Sequence, residues 1–276
     1  MTVNFSALVS TARSTARRIL TRLQGCPNGG ECSVCGRHGS LLDRPVLWPE
    51  LIAQWELTPE WVNWMNQREG RKCEWCGSSL RSRQLAQAIV ETYRNLLGAT
   101  STNLAALCEC HLFRHLVVAE INAAGSLHPH LSKLPKLSYS EYGGSRSEDL
   151  MHLSYPDSSF DLVITSETLE HVPDVKTALS EIRRVLKCNG MHIFSVPIVW
   201  NRPVTRQRAS VVEGKVVHSL PPSYHMPPAN LKNDMLVFYE FGADFIEWCT
   251  RSGFDLCLLR DQVNQALTTC ITRKTC

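Results

Sequence analysis

The chain has 276 residues, of which 43% are hydrophobic, and its formal net charge at pH 7 is +3. This length can bury one large domain and a small accessory one, and the near balance of charge excludes a global polyanion-binding surface. No apolar run approaches the roughly 18 residues of a membrane span, and the twelve cysteines follow no secretory signal. We therefore expect a soluble, cytoplasmic protein in a reducing compartment.

Residues 1–25 form a basic arm. They contain four arginines and no acidic residue, and apolar residues recur at helical spacing from Phe5 to Leu23. We interpret the arm as an amphipathic helix that docks on its own protein. A transit peptide and an arm for an anionic surface fit the same composition. The turn-rich stretch from Gly25 to Gly30 separates it from the next block.

Two CxxCG motifs occur in residues 26–80. Each can present two thiolates to one ion, and together they supply the four ligands of a closed structural zinc site. Paired cysteines without metal are one alternative, and a redox dithiol is another, although redox chemistry needs only one CxxC motif. A site with four thiolates leaves no open position for water, which predicts a role in folding. The predicted zinc ligands are Cys32, Cys35, Cys73 and Cys76.

Four tryptophans lie between the two motifs. We expect them to form a small hydrophobic core, with an aromatic platform for a ligand as the alternative. They are Trp48, Trp55, Trp61 and Trp64.

The remaining chain alternates between helical and strand patterns. A helix is predicted over residues 81–98, ended by Gly98. The helix after the third strand is predicted to end at Asn189–Gly190, and a helix ended by Gly253 precedes a last strand. Before that last strand, strands are predicted over residues 115–121, 136–142, 160–166 and 191–197.

Strands that alternate with helices predict βαβ units and a mostly parallel sheet. The fold class is therefore α/β: a doubly wound Rossmann-like sheet with a small N-terminal zinc-binding module. The predicted units are a basic arm, a zinc-binding module, a linker helix and the main domain. They span residues 1–25, 26–80, 81–100 and 101–276.

The stretch EDLMHLSYPDSSFDLVITSETLEHVPD, followed by ALSEIRRVLKCNGMHIFSVP, resembles the second half of class I S-adenosylmethionine-dependent methyltransferases. It is most similar to the small-molecule group that carries LEHV and RVLKPGG. The resemblance covers about residues 112–260 and is specific over 148–197. The double CxxCG block also resembles methyltransferases with a zinc-binding module before the catalytic domain, some of which act on ribosomal RNA and others on sugars.

The resemblance implies a series of cofactor-binding residues at the ends of strands. Glu120 would lie near the methionine part of the cofactor, Glu141 would bind the ribose hydroxyls, and Asp149 would meet the adenine amino group. Leu150 would pack on the adenine ring, and Ser166 would line the methionine and substrate side. Taken singly, Glu141 could be a surface acid and Asp149 a turn cap.

The turn after Glu120 lacks the glycines typical of nucleotide-binding loops. It reads INAAGSL, and glycine is most strictly required where backbone meets a pyrophosphate, which S-adenosylmethionine lacks. Asn122 tolerates left-handed geometry, and Gly125 supplies any position with positive φ. We interpret the segment as an atypical cofactor turn. The predicted cofactor residues therefore also include Ala124 and Gly125, as well as Tyr142 beside Glu141.

Residues 198–228 follow the fourth strand, where this family builds its acceptor site. Prolines on both sides of Tyr224 and His225 predict a rigid loop that presents them. A histidine there can take a hydroxyl proton; a surface lid without chemistry is the alternative. His171 of LEHV orients the loop at the strand end, with a direct catalytic role as the alternative. The predicted catalytic residues are His225, Tyr224 and His171.

These residues predict a methyltransferase that uses S-adenosyl-L-methionine, holds a structural Zn²⁺ ion and acts on a hydroxylated small molecule, a sugar or a glycoconjugate. One alternative is an RNA methyltransferase whose zinc module and basic arm grip phosphates, which the near balance of charge disfavours. Another is a non-catalytic cofactor-binding or scaffold protein, in keeping with the missing glycines.

Overall fold

The computed structural model describes residues 30–225 and 236–276, together with the backbone of residues 19–20. The strands are β1 (Ile19–Leu20), β2 (Leu41–Leu42), β3 (Lys72–Cys73), β4 (Val118–Ile121), β5 (Leu137–Ser140), β6 (Phe160–Ser166), β7 (Leu186–Ser195), β8 (Arg206–Gln207), β9 (Ala209–Val212), β10 (Lys215–His218), β11 (Tyr239–Glu240), β12 (Phe254–Arg260) and β13 (Thr268–Lys274). The helices are α1 (Pro49–Gln54), α2 (Pro59–Gly70), α3 (Leu80–Leu97), α4 (Leu104–Glu109), α5 (His111–Arg114), α6 (His128–Leu131), α7 (Val175–Val185) and α8 (Phe245–Arg251).

A mixed seven-stranded sheet organises the molecule, in the order β5-β4-β6-β7-β13-β12-β1. The strands β5, β4, β6 and β7 are parallel to one another, whereas β13 runs antiparallel to both β7 and β12. The mostly parallel sheet predicted from the sequence is confirmed, with two strands rather than one after α8. Because parallel strands end at one edge, the loops after β4, β5 and β6 lie together there.

Helices cover both faces of the sheet, as in a doubly wound fold. Leu162 and Ile164 of β6 join a core cluster that includes the apolar face of α3. Val163, between them, joins the cluster on the other face with residues of α7 and α8. Alternate residues of a strand point to opposite faces, so a β6 that is buried on both faces reads as a continuous apolar run. The result is a Rossmann-like sheet.

The helix predicted as a linker is part of this core. It spans Leu80–Leu97 and ends at Gly98, whose φ of 65° is left-handed, as the sequence predicted. Leu85, Ile89 and Tyr93 are buried on its inner face. The hydroxyl of Tyr93 donates a hydrogen bond to the carbonyl of Asp161, 3.2 Å away. Besides connecting the cysteine block to the sheet, α3 therefore packs against the sheet.

The prediction that Asn189 and Gly190 end a helix is wrong. Helix α7 ends at Val185, and both residues lie inside β7, where the register with β6 shifts between Phe160 and Leu162. Asn189 has a φ of 62°, and a β-carbon on Gly190 would lie 3.0 Å from the carbonyl oxygen of Phe160. The Asn–Gly pair forms an irregularity of the β-bulge type. Asparagine and glycine are favoured both at such an irregularity and at the end of a helix.

The tryptophans form the predicted small core. Trp55 and Trp61 are buried, and Trp48 and Trp64 pack against them. This cluster also includes Val199, Val237 and Ala266, so it joins the cysteine block to the main domain.

The predicted helical arm lies mostly outside the described residues, as does Cys26. Its two described residues do not fit the helix: β1 pairs in parallel with Leu258 and Leu259 of β12, because an edge strand offers unpaired backbone groups.

A disulfide that the sequence did not predict joins Cys188 to Cys276. None of the helices in the described part of the chain is long and apolar enough to cross a membrane.

Candidate functional site

The four cysteines predicted to bind zinc lie together. Their sulfur atoms all lie within 4.8 Å of one another, and the Sγ atoms of Cys32 and Cys76 are 3.8 Å apart. Four thiolates around an ion at the usual zinc–sulfur distance of about 2.3 Å are about 3.8 Å apart. Gly36 and Gly77, which follow the two CxxC turns, have φ angles of 74° and 68°. The donor set and its spacing therefore fit a tetrahedral zinc ion.

The cysteine cluster is fixed to the main domain. The amides of Leu104 and Ala105 donate hydrogen bonds to the carbonyls of Ser33 and Val34, at 2.8 and 3.0 Å. The hydrogen bond with Cys76 lowers the pKa of Cys32 to about 4.

The turn after β4 is built as a closed loop around Glu120. The buried carboxylate accepts hydrogen bonds from the amide of Ala124, at 2.8 Å, and from Nδ1 of His128, at 2.7 Å. Asn122 and Gly125 both have a φ of 59°, which confirms the left-handed geometry expected of this turn. A β-carbon on Gly125 would meet no described atom within 4 Å, so the turn faces open space at this point.

The other predicted cofactor residues lie along the same edge of the sheet. The carboxylate of Glu141 accepts a hydrogen bond from the hydroxyl of Tyr139, at 3.1 Å. The amide of Tyr142 donates to Oδ1 of Asn122, at 2.8 Å, which ties the end of β5 to the end of β4. Tyr142 is 59% exposed. A cavity of about 340 Å³ lies beside β5 and includes Tyr139 and Glu148 in its lining.

Asp149 and Leu150 are placed differently from each other. Oδ1 of Asp149 accepts a hydrogen bond from the amide of Met151, at 2.8 Å, so this acid caps a turn. Leu150 is buried in the core. Their contacts with the adenine ring stay predictions.

A charged network that the sequence does not predict follows β6. Arg68, at the end of α2, is fully buried and donates two hydrogen bonds to Glu167, at 2.8 and 2.7 Å. Glu69 pairs with Arg68 and, at 2.8 Å, with Arg81. Arg81 also donates to the hydroxyl of Ser166, the predicted substrate-side residue. Arg68 of α2 and Arg81 of α3 thus both reach the carboxyl end of β6.

Glu170, His171 and His225 meet beside this network, and we call them the His–Glu cluster. Nδ1 of His225 lies 3.5 Å from Oε1 of Glu170, and Nε2 of His171 lies 3.9 Å from the same oxygen. The two imidazole rings are 4.9 Å apart and nearly perpendicular. Both carboxylate oxygens of Glu170 are buried, and within residues 30–225 and 236–276 neither has a hydrogen-bond partner. The sequence prediction had named both histidines but not the carboxylate between them.

Two neighbouring segments hold the cluster in place. Nδ1 of His171 bonds to the carbonyl oxygen of Leu236, at 2.9 Å, which supports the predicted orienting role. The ring of His225 packs on Trp55, at 5.6 Å. Tyr224, the remaining predicted catalytic residue, bridges Leu236 through its backbone and packs its ring against the core.

Burial and charge set the protonation of this region. Burial would raise the pKa of Glu167, but the positive charges of Arg68 and Arg81 lower it to about 2. Burial raises the pKa of Glu170 well above its ordinary value, and the charge of Glu167 adds to this. Burial lowers the pKa of His225 to about 3, so its imidazole is neutral at neutral pH. A neutral imidazole can bind a metal ion, whereas the lowered pKa makes His225 a weak proton acceptor.

Known proteins support the assignment of a methyltransferase domain. The sequence model of a family described as a methyltransferase domain matches residues 101–194, which include β4 to β7 of the Rossmann-like sheet and the loop with Glu167 and Glu170. Residues 101–194 are therefore similar to a methyltransferase domain.

Curated relatives match over short segments. The chain is 37% identical over 70 residues to 2-methyl-6-phytyl-1,4-hydroquinone methyltransferase of Synechocystis, a match that covers 22% of each chain. It is 52% identical over 42 residues to demethylmenaquinone methyltransferase of Lactobacillus johnsonii, over 15% of this chain and 17% of the relative. The chain thus spans about a fifth of the length of these relatives.

Solved structures are more distant. An S-adenosylmethionine-dependent methyltransferase from Mesorhizobium loti is 16% identical, with a TM-score of 0.36, and the match covers 58% of this chain and 91% of that one. The 1,6-didemethyltoxoflavin-N1-methyltransferase of Burkholderia thailandensis is 15% identical, with a TM-score of 0.41, over 70% and 88% of the two chains.

Proposed function

We propose that the protein is an S-adenosylmethionine-dependent methyltransferase that methylates a hydroxyl group of a small molecule. The observation that carries the proposal is the position of the His–Glu cluster. It follows β6 at the edge of the sheet where the turns after β4 and β5 also lie. Cofactor residues and proton-handling residues thus share one edge of a Rossmann-like sheet, where such folds bind their ligands.

The turn after β4 and the end of β5 are the places for the cofactor. S-adenosylmethionine supplies an electrophilic methyl group on a sulfonium. The turn from Asn122 to Gly125 would leave room for the amino-acid part, and the exposed carboxylate of Glu141 would accept hydrogen bonds from the ribose. Asp149 and Leu150 stay our assignment for the adenine side, with Ser166 toward the acceptor.

The acceptor hydroxyl would lie at the His–Glu cluster. Methyl transfer is an in-line displacement, so positioning is the main requirement, and a hydroxyl acceptor must also lose its proton. Glu170, His171 and His225 would line the place of this hydroxyl, while Trp55 offers an apolar wall beside His225.

The class of acceptor is a hydroxylated small molecule. Two relatives are named for a hydroquinone and for demethylmenaquinone, and a hydroquinone carries ring hydroxyls. Sugars and glycoconjugates carry hydroxyls as well, and we retain them as candidates. We further propose that the cysteine cluster holds a structural zinc ion and that the protein works in the cytoplasm. The free thiols of the cluster fit a reducing compartment, whereas the Cys188–Cys276 disulfide is a feature typical of oxidising ones.

Calorimetry with S-adenosylmethionine on the full chain tests the cofactor assignment. Binding with one site per chain is expected, and no heat in the millimolar range would exclude both a methyltransferase and a cofactor-binding scaffold. A second assay, using mass spectrometry, would follow methyl addition to hydroquinones, catechols, free sugars and RNA. Methylation of RNA alone, with a steep salt dependence, would replace the small-molecule proposal.

A further inference from the structure

The His–Glu cluster has the composition of a metal site. We propose that Glu170, His171 and His225 bind a divalent transition-metal cation beside the acceptor. The existence of this site is independent of the proposed function, whereas its role in methyl transfer rests on that function.

The three side chains are already close to the required geometry. One ligand atom from each lies within 4.8 Å of the other two, and the two histidine-to-carboxylate distances are 3.5 and 3.9 Å. Ligands at about 2.0–2.2 Å from one ion are separated by about 3–4 Å, so small side-chain movements bring all three onto one cation. Two histidines and one carboxylate with open positions form a donor set that first-row divalent ions use.

The hydrogen bond of His171 matches that of a metal ligand. Its Nδ1 lies 2.9 Å from a backbone carbonyl oxygen, that of Leu236, and a carbonyl can only accept. Nδ1 therefore carries a proton, and Nε2 is the ring nitrogen that faces Glu170. Histidines that bind metals are typically oriented by such a bond from the other ring nitrogen.

The charges around Glu170 leave room for a cation. Arg68 and Arg81 are positive, and they are balanced by their partners Glu69 and Glu167. Glu170 is an additional carboxyl group in this buried set, and neither of its oxygens has a hydrogen-bond partner among the described residues. A buried carboxylate without a partner is costly, and a metal ion would supply the missing interaction.

A cation at this position would act on the acceptor. It would lower the pKa of a hydroxyl that it contacts, as metal ions do for bound water. The acceptor oxygen would form a bond to the methyl carbon while the carbon–sulfur bond breaks and leaves its electron pair on sulfur. The hydroxyl proton would pass to water.

Electron paramagnetic resonance with Mn²⁺ tests the site in the full chain, with the cysteine cluster loaded with zinc beforehand. Mn²⁺ prefers oxygen and nitrogen donors, so the thiolates do not compete for it. Wild-type protein should remove one equivalent of Mn²⁺ from the free-ion signal. Glu170→Gln and His225→Phe should weaken binding at least about tenfold, since even loss of an outer partner costs about 10–100-fold.

Two exposed residues provide matched controls, Glu247→Gln for the carboxylate and His111→Gln for a histidine. Both should bind Mn²⁺ like the wild type, and thermal unfolding would check that every variant is folded. Absence of Mn²⁺ binding by the wild type in the millimolar range, or unchanged binding by a folded Glu170→Gln variant, would overturn the metal site. Calorimetry with S-adenosylmethionine on the same samples separates the two proposals, because cofactor binding without Mn²⁺ binding rejects only the metal.

Discussion

Arg68 and Glu167, 99 residues apart in the chain, form a bidentate ion pair in which the arginine is fully buried. The pair connects the end of α2, just before the second CxxCG turn, to the residue that follows β6. Glu167 has a φ of 50°, an unfavourable backbone geometry for a residue with a side chain. The ion pair stabilises this geometry at the start of the loop that carries Glu170 and His171.

Breaking this ion pair should destabilise the protein strongly. Arg68→Met would leave the Glu167 carboxylate buried without its main partner, at a cost of about 3–5 kcal/mol in the free energy of unfolding. The double variant with Glu167→Gln should regain much of this loss. Urea unfolding measures both, with Arg71→Met as the control, because the exposed Arg71–Asp43 pair should contribute at most about 1 kcal/mol. If Arg68→Met and Arg71→Met lowered the free energy of unfolding equally, the structural role of Arg68 would be refuted.

The cysteine cluster should hold one zinc ion that the fold depends on. Cys73→Ser and Cys76→Ser should reduce zinc content to near zero and lower the melting temperature, because structural zinc sites contribute directly to folding. Elemental analysis and thermal unfolding give the two readouts. Cys110→Ser, outside the four-cysteine group, should keep the zinc. A zinc content far below one per chain in the wild type would contradict the assignment.

Two substitutions of Asn122, in the turn after β4, should separate the contribution of backbone strain to stability from that of hydrogen bonding. Asn122→Ala loses the bond to the amide of Tyr142 and places alanine at a φ of 59°, whereas Asn122→Gly loses only the bond. We expect the alanine variant to be less stable than the glycine variant by about 1 kcal/mol. Thermal unfolding compares them. Equal stability would mean that the turn relaxes to another geometry.

Glu141 should affect cofactor binding and not folding, because its side chain is exposed. Loss of hydrogen bonds to a charged group costs about 1.5–3 kcal/mol, so Glu141→Gln should weaken binding of S-adenosylmethionine by at least about tenfold. Calorimetry measures the affinity, and Glu247→Gln serves as the control. An unchanged affinity would remove Glu141 from the ribose site.

The pH dependence of stability should report on Glu181. Hydrogen bonds from Arg184 lower the pKa of this carboxyl below its ordinary value of 4.5. A carboxyl with a lowered pKa stabilises the folded state above its unfolded pKa and loses this effect as pH falls through the folded one. The stability difference between wild type and Glu181→Gln should therefore be present at pH 7 and shrink below pH 4.5. Urea unfolding across this pH range measures the stability difference. A difference that stays constant with pH would contradict the prediction.

Local sequence signals predicted much of the fold. The continuous apolar run of β6 and the glycine after α3 each have a local physical cause, and both predictions hold in the structure. The two CxxCG turns bring their four cysteines together, and the zinc ion stays a prediction. Asn189 and Gly190 misled because a helix end and this irregularity of β7 both place a residue at positive φ, here Asn189. Their surroundings in the sheet, not the pair itself, decide between the two.

The candidate site was less accessible to sequence reasoning. Arg68 lies in a charged stretch that reads as a solvated helix face, and its burial depends on Glu167 far along the chain. The segment LEHV drew attention to His171, whereas Glu170 beside it gave no sign that it would be buried without a partner. Only the tertiary arrangement, with His225 brought in from a third segment, shows the three together.

The position of β13 has a consequence for how the protein folds. This strand follows β12 in the chain, yet it lies between β12 and β7 in the sheet. The parallel strands therefore cannot join β12 until β13 has formed and entered between them, and α3 keeps part of its apolar face uncovered until then. Such long-range pairing slows folding. The joining of the parallel strands to β12 through β13 is accordingly expected to be a late event in folding.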